Sequence, residues 1–259
     1  MWERQREQFE SEGYAIFEGV LVGAALDQLR AECDGFIARE DARMDALGTD
    51  QIGITHRGRR YFANECLRSQ PALAAVLFGE ALEGVCRATL GEDAYFFFDQ
   101  YVVKGPDGGL PFSWHQDSGY VVGNGGPADH APYLTCWCPL DDATVANGTV
   151  RVLPFSSRPE ARAGILPHTR DARTGDLVAW PAEEPGQAIE APAGSIVAFS
   201  SRLLHATGAN QTDRMRRVYL AQYTPEVMLN PGTRHLRRNA IPLLRSGERV
   251  TAPPTLQAA

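Results

Sequence analysis

Long apolar segments are absent from this chain. No hydrophobic run approaches the roughly 20 residues that a transmembrane helix needs. The N-terminal residues, MWERQR, are polar and lack the apolar core of a secretory signal peptide. We therefore expect a cytoplasmic protein that has no membrane partner.

Paired cysteines are also missing. The chain has five cysteines, which is an odd number, and none of them forms a C-x-x-C pair. This pattern argues against a disulfide framework and for reduced thiols. Cys136 and Cys138 share one face of a predicted strand and could be taken for a metal pair, but core filling is the favoured interpretation.

Positive charge is scarce as well, and lysine is nearly absent. Lys104 is the only lysine, and 25 basic residues face 32 acidic ones, so the net charge is −7. An acidic surface argues against nucleic acid as a partner. The 44% of hydrophobic residues is ordinary for a globular chain and allows a substantial core. The sequence does not indicate an oligomeric state.

The predicted elements fall into two groups. Apolar spacing predicts helices at residues 1–12, 23–44, 71–78 and 81–90, with a strand at 14–20 and a loop at 48–60. Aromatic and β-branched runs predict strands at 95–103, around 115–117, and at 133–138, 149–153, 195–199 and 216–223. Because the helices come first and do not alternate with the strands, we predict a mainly β fold, a sandwich or jelly roll with flanking helices.

Length alone leaves one-domain and two-domain arrangements open. We expect a single domain over residues 1–259, in which helices of about 1–92 pack on a β core of about 93–224. An extended tail, 225–259, would follow, and its last residues would fray. The glycine-rich loop 123–131 and the long segment 155–190 are the expected lids, because loops carry specificity on rigid scaffolds.

His115 and Asp117 form an H-x-D pair, the feature that points most directly to chemistry. On a strand, residues two apart project from the same face, so a nitrogen and an oxygen ligand would lie side by side. One more histidine would complete the facial triad of non-haem iron enzymes. His205 is the candidate, although a hydrogen-bonded core histidine would look the same in sequence.

Arg216 follows His205 by eleven residues, across a polar turn. Two strands joined by such a turn are antiparallel neighbours, so Arg216 would return towards the metal. A guanidinium there can bind a carboxylate through two parallel hydrogen bonds. The alternative is a surface arginine, which is the interpretation we favour for Arg214 and Arg217.

Three stretches together resemble the phytanoyl-CoA dioxygenase family of iron(II)- and 2-oxoglutarate-dependent oxygenases. They are residues 114–120 (WHQDSGY), 137–154 (WCPLDDATVANGTVRVLP), and 205–210 (HATGAN) followed by Arg216. The resemblance implies a double-stranded β-helix core in which His115, Asp117 and His205 are the catalytic iron ligands. It also implies Fe(II), 2-oxoglutarate and O2, with ascorbate as a candidate reductant.

The same resemblance suggests roles for further residues. Arg216 and Thr207 would bind the distal carboxylate of 2-oxoglutarate, and Gln100 and Trp137 would line the co-substrate pocket. Trp137 could equally be a core tryptophan. The candidate substrate contacts are Tyr120 and Lys104.

The chain departs from the family at one corner, where the usual Pro-Gly-Ser-His is replaced by Pro154-Phe-Ser-Ser157. This change puts a substrate role of the corner in doubt. Retention of Asp117 excludes the halogenating relatives, in which a small residue replaces the carboxylate ligand.

The resulting hypothesis is hydroxylation of a small metabolite or natural-product intermediate, with release of succinate and CO2. Desaturation or ring closure would use the same cofactor chemistry. A cupin-type isomerase using Zn or Mn, and a non-catalytic binding module, are the alternatives of a different class. Arg216 argues against the isomerase, and no feature of the sequence selects a substrate.

Overall fold

The structure is a computed structural model that describes residues 2–106, 108, 111–172 and 174–250. Its helices are α1 (Glu3–Glu12), α2 (Ala24–Leu47), α3 (Cys66–Ser69), α4 (Ala74–Leu77), α5 (Glu80–Thr89), α6 (Asp117–Gly123) and α7 (Pro159–Ala163), with a 3-10 turn at Pro71–Leu73. The terminal residues predicted to fray, 251–259, lie outside the described residues.

The two long N-terminal segments end where glycine permits a left-handed backbone. Gly13 follows α1 with φ 81° and donates its N–H to the Phe9 carbonyl. Gly48 follows α2 with φ 62° and donates to the carbonyls of Met44 and Asp45. A residue with a Cβ is strained in this conformation, which explains the glycine at both ends.

A large sheet forms the centre of the molecule. Its strands lie in the order β1 (Tyr14–Phe17), β12 (Ile196–Ser200), β7 (Leu134–Pro139), β14 (Arg216–Thr224), β5 (Ala94–Lys104), β4 (Arg60–Asn64), β3 (Thr55–His56) and β2 (Gln51–Ile52). The C-terminal segment adds β15 (Ile241–Arg245), which pairs with β5, and β16 (Glu248–Arg249), which pairs with β15. All of these pairings are antiparallel.

A smaller antiparallel sheet faces the large one. Its order is β11 (Gln187–Ala188), β8 (Val150–Leu153), β13 (Leu204–Thr207) and β6 (Phe112–His115). A separate hairpin joins β9 (Thr169–Arg170) to β10 (Leu177–Val178). The two facing sheets confirm the predicted double-stranded β-helix with flanking helices.

Strand alternation divides the core into two layers. On β14, Tyr219 and Tyr223 pack with the N-terminal helices, whereas Val218 and Leu220 pack with the small sheet. This period of two is what a strand buried on both faces requires. Cys136 and Cys138 lie in the helix-side layer as free, buried thiols, so the core-filling interpretation is confirmed.

Several features differ from the sequence prediction. The strands that carry His205 and Arg216 were predicted to be antiparallel neighbours, but β13 lies in the small sheet and β14 in the large one, so the turn between them crosses from one sheet to the other. Residues 48–60, predicted as a loop, contain β2 and β3 and the first residue of β4. Helix α6 was not predicted, and it begins at Asp117, so the H-x-D pair does not lie on one continuous strand. The segment after residue 224, predicted as an extended tail, contributes β15 and β16 to the large sheet. Short edge strands are stabilised by pairing with a neighbour, which local sequence does not reveal.

None of the described helices is long and apolar enough to cross a membrane.

Asp99 on β5 is fully buried and generates a prediction about stability. Burial raises the pKa of its carboxyl from 3.8 to about 6, although Tyr219 and the Leu67 N–H donate hydrogen bonds to it. A raised carboxyl pKa favours the folded state below pH 4, and that advantage is lost as the pH rises through about 6.

The stability of Asp99→Asn relative to the parent should therefore increase by about 2 kcal/mol from pH 4 to pH 7.5. Urea unfolding at both pH values measures the difference, and the measurement at pH 4 is the internal control. Parallel stability profiles for the two proteins would contradict the assignment.

Candidate metal centre

His115, Asp117 and His205 converge at one point between the sheets. The Oδ1 atom of Asp117 lies 3.8 Å from Nε2 of His115 and 3.6 Å from Nε2 of His205. The two imidazole rings are 4.2 Å apart between centroids. Each residue offers one ligand atom, and these atoms all lie within 4.8 Å of one another. The three residues singled out from the sequence are therefore brought together.

Pairing of β13 with β6 sets His205 directly opposite His115. His115 is the last residue of β6, and Gln116 continues the extended backbone with φ −109° and ψ 137°. Asp117 then opens α6, so it still projects to the same side as His115, as the H-x-D spacing predicts. The reason is the extended conformation of Gln116 and not a continuous strand.

Gln116 is fully buried and holds this turn in place. Its Nε2 donates to the carbonyls of Gly164 at 3.0 Å and Arg202 at 2.6 Å, and its Oε1 accepts from the Leu166 N–H at 2.7 Å. Every polar atom of the amide has a partner, so the side chain links the two candidate ligands to the segment after α7.

Both histidines are oriented for metal binding. The Nδ1 atom of His115 lies 2.7 Å from the Ser113 carbonyl, and that of His205 lies 3.0 Å from the Leu203 carbonyl. A carbonyl only accepts, so each Nδ1 carries a proton, and Nε2 is the nitrogen that a neutral imidazole in this orientation offers to a metal. Burial and the neighbouring His205 lower the pKa of His115 below its ordinary value, which favours the neutral imidazole that a metal requires.

Asp117 is held by hydrogen bonds at its other oxygen. Oδ2 accepts from the Thr135 hydroxyl at 2.5 Å and from Nε2 of Gln222 at 3.1 Å, and Gln222 also donates to Thr135. Oδ1 is left facing the histidines. Strand alternation from Arg216 through residues 218 and 220 to Gln222 is the sequence signal that could have identified Gln222.

Arg216 is 1% exposed, and it retains unused hydrogen-bonding capacity. Its Nη2 donates to the Gly148 carbonyl at 3.2 Å, whereas Nε and Nη1 are buried without a partner among the described residues. The guanidinium lies 5.5 Å from the ring centroid of Trp137. Burial lowers the pKa of Arg216 to about 9.

Thr207 is two residues beyond His205 on β13, so both side chains share a face. Lys104 donates to the Thr207 hydroxyl at 2.7 Å and to the Gly208 carbonyl. The hydroxyl hydrogen of Thr207 is therefore free to be donated elsewhere. Lys104 itself is fully buried and is not among the described residues that line the cavity, and its substrate contact stays a prediction.

One cavity of about 390 Å³ connects these groups. Its wall includes the three candidate ligands together with the remaining predicted residues, namely Arg216, Thr207, Gln100, Trp137 and Tyr120. Both predicted lids contribute to the wall, through Asn124 and Asp176. The corner that departs from the family pattern does not, because Phe155 is buried and donates its N–H to the Glu12 carbonyl at the end of α1.

The donor set fits iron and 2-oxoglutarate. Two imidazoles and a carboxylate on one side of a cavity leave coordination positions open. Nε and Nη1 of the buried Arg216 carry unpartnered N–H groups in the same cavity, which suit a carboxylate. Lining residues that the sequence analysis did not identify are Arg237 and Arg238 from the C-terminal segment. No local motif marks them, because tertiary docking brings them to the wall.

Gln222 provides a test of the metal centre. We expect Gln222→Leu to weaken metal binding by at least about tenfold, because Asp117 loses a hydrogen bond that orients it. Titration with Co(II), followed by absorption, measures the affinity. Gln211→Leu, in the exposed turn before β14, is the matched control and should bind as the parent does. Equal affinity of both variants would contradict the orienting role of Gln222.

Comparison with known proteins gives one family. The family model described as phytanoyl-CoA dioxygenase (PhyH) matches residues 9–218. The ectoine dioxygenase of Nocardia farcinica is 25% identical over 221 residues, which cover 80% of this chain and 72% of that protein. The dioxygenase FUM3 of Gibberella moniliformis is 24% identical over 227 residues, which cover 80% of this chain and 67% of that protein.

Two solved structures share the fold. EvdO2 from Micromonospora carbonacea var. aurantiaca, complexed with 2-oxoglutarate, matches with a TM-score of 0.66 at 24% identity, over 99% of this chain and 96% of that one. SnoK, an alpha-ketoglutarate-dependent carbocyclase from nogalamycin biosynthesis, matches with a TM-score of 0.70 at 20% identity, over 90% and 88% of the two chains. With the family model covering most of the sequence, this chain belongs to the phytanoyl-CoA dioxygenase family of iron(II)- and 2-oxoglutarate-dependent oxygenases.

Proposed function

We propose that this dioxygenase hydroxylates a small metabolite or natural-product intermediate bound in the cavity of about 390 Å³. Fe(II) and 2-oxoglutarate are its cofactor and co-substrate, as in the family to which the chain belongs. Together with O2, bound Fe(II) and 2-oxoglutarate would supply the oxidising chemistry, and succinate and CO2 would be the co-products.

The observation that carries the proposal is that Nε and Nη1 of Arg216 are buried without a partner among the described residues. Buried N–H groups without acceptors cost several kcal/mol unless a ligand satisfies them. Thr207 offers a hydroxyl hydrogen beside them. His205 and Thr207 lie two residues apart on β13 and both line the cavity, so a molecule bound at the metal centre can reach the Thr207 hydroxyl from the same face of the strand.

His115, Asp117 and His205 would hold the iron in this mechanism. The backbone carbonyls of Ser113 and Leu203 fix the two imidazoles, and Thr135 with Gln222 fixes the carboxylate. These contacts orient each candidate ligand atom towards the common point before the reaction begins, so the ligands need no rearrangement.

Aromatic side chains shield the candidate ligands from solvent. The ring of Phe199 packs 4.5 Å from that of His205, and the ring of Tyr120 packs edge-on 5.2 Å from that of His115. Trp137 covers the guanidinium of Arg216. Excluding water in this way strengthens the electrostatic interactions of the bound anion and suppresses side reactions.

We also propose that the described residues form one oxygenase domain. Segments from both ends support this, because β1 pairs with β12 and β15 pairs with β5 in the large sheet. The N-terminal strands β2, β3 and β4 continue the same sheet beyond β5.

The Arg216→Gln variant tests the proposal. Without the guanidinium, the dissociation constant of 2-oxoglutarate should rise by roughly 100-fold, because a buried charge-assisted pair is lost. Calorimetry with the anaerobic Fe(II) enzyme measures binding, and succinate formation measures turnover. Arg214→Gln, in the exposed turn before β14, is the control of equal charge change.

Two outcomes would contradict the proposed function. If Arg216→Gln binds 2-oxoglutarate as tightly as Arg214→Gln, the co-substrate site is elsewhere. If the parent enzyme forms no succinate from 2-oxoglutarate with Fe(II), the chain is not a working oxygenase and the isomerase or binding-module alternative gains support.

A further inference from the structure

The C-terminal segment folds back over the cavity. Arg237 donates its backbone N–H to the Met228 carbonyl at 2.9 Å, and Asn239 donates from both its backbone N–H and its side chain to the Phe97 carbonyl at 3.2 Å. Strand β15 then pairs with the start of β5. These contacts hold Arg237 and Arg238 at the cavity wall, where both line it.

Within the described part of the chain, the guanidinium of Arg237 donates its hydrogen bonds to uncharged oxygen atoms. Its Nη1 donates to Oδ1 of Asn230 at 3.1 Å, and its Nη2 donates to the Asn124 carbonyl at 2.9 Å, at the end of α6. Among the described residues, no carboxylate oxygen lies within 4.0 Å of this guanidinium. The side chain is half-buried, so its charge acts through a medium less polar than water.

Arg238 lies beside it with a different arrangement. Its guanidinium is 4.7 Å from the ring centroid of Phe98, and its Nη1 donates to Oε1 of Glu65 at 2.5 Å. The side chain is 40% exposed. The remaining N–H groups of Arg238 therefore stay accessible from the cavity mouth.

The charge of the cavity is opposite in sign to that of the chain. Among the described residues that line it, Arg170, Arg216, Arg237 and Arg238 face only Asp117 and Asp176. Counting Glu65 with Arg238 still leaves an excess of positive charge, in a protein whose net charge is −7. Iron and 2-oxoglutarate, a dication and a dianion, do not change this balance.

One more buried arginine strengthens the positive potential from behind the wall. The guanidinium of Arg60 lies 5.6 Å from the ring centroid of Phe112, which lines the cavity. Arg60 is 3% exposed, and its Nη1 is buried without a partner among the described residues. A cleft with low-dielectric walls focuses such a potential and attracts anions.

Between the arginines and the metal centre the wall is aromatic. Tyr133 packs its ring 5.4 Å from that of Phe97, and Phe98 lies under Arg238. All three aromatic residues line the cavity. A molecule with a charged end at Arg237 and Arg238 would lay its carbon skeleton on this surface, directed towards the metal.

We propose that the substrate is an organic anion, whose carboxylate group is bound by Arg237 and Arg238 while its carbon skeleton extends over Phe97 and Tyr133 to the iron. This assignment rests on the proposed function and specifies its substrate class. The two arginines are then specificity-determining residues supplied by the C-terminal segment.

A panel of matched compounds tests the assignment. Each carboxylic acid is paired with the primary carboxamide of the same skeleton, and stimulated succinate release is measured with Fe(II) and 2-oxoglutarate. The acids should give a kcat/KM at least tenfold above that of their amides. Calorimetric binding of the same pairs to the Co(II)–2-oxoglutarate protein gives a second readout that needs no turnover.

The variants Arg237→Gln and Arg238→Gln should raise the KM of the acids by at least tenfold, with a smaller change in kcat, and bring the acid-to-amide ratio towards one. Arg237→Lys keeps the charge and should retain most of the preference for acids. Arg234→Gln, an exposed residue of the same segment, is the matched control and should behave as the parent. Thermal unfolding of each variant identifies any that fail to fold.

The outcomes separate this inference from the proposed function. If amides or amines stimulate turnover as well as acids, or no acid binds the Co(II) protein, the anion assignment is wrong while the oxygenase function stands. An unchanged acid-to-amide ratio in folded Arg237→Gln and Arg238→Gln overturns the role of these arginines. Products with one added oxygen support hydroxylation, whereas loss of two hydrogens indicates desaturation or ring closure.

Discussion

Antiparallel pairing of β13 with β6 is the constraint on which the metal centre depends. It sets His205 opposite His115 and directs both imidazoles to one side of the small sheet. Asp117 reaches the same point because Gln116, tied to the segment after α7, keeps the backbone extended. Thr135 and Gln222, from the facing large sheet, then select which carboxylate oxygen faces the histidines. Both sheets are therefore needed to build the centre.

The second feature of the cavity and its surroundings is positive charge whose hydrogen-bonding capacity is not satisfied. Arg216 and Arg60 each keep buried N–H groups without acceptors among the described residues, and burial lowers the pKa of Lys104 well below its ordinary value. Such an arrangement reduces the stability of the protein without ligands. The proposed contact with the distal carboxylate of 2-oxoglutarate would account for the arrangement around Arg216, and the proposed anionic substrate would account for the arginines at the mouth. Ligand binding would in turn stabilise the fold.

Much of this architecture follows from local sequence. Alternation along the strands puts Thr207 beside His205. The prediction that the strands of His205 and Arg216 are antiparallel neighbours was wrong, because β13 pairs with β6 and β8 in the small sheet, whereas β14 pairs with β5 and β7 in the large one. The helical start at Asp117 was missed, because an extended Gln116 gives the same side-chain direction as a continuous strand. Arg237 and Arg238 were missed for another reason: their segment is held by contacts with Phe97 and Asn124, which are distant in sequence. Periodicity carries no information about such contacts.

The proposed chemistry depends most directly on the relation between the metal centre and Arg216. A crystal structure of the anaerobic complex with Fe(II) and 2-oxoglutarate tests that relation. We expect iron bound by His115, Asp117 and His205, with the distal carboxylate of 2-oxoglutarate on Nε and Nη1 of Arg216 and on the Thr207 hydroxyl. Iron bound by other residues, or a carboxylate that leaves Nε and Nη1 without a partner, would contradict the account.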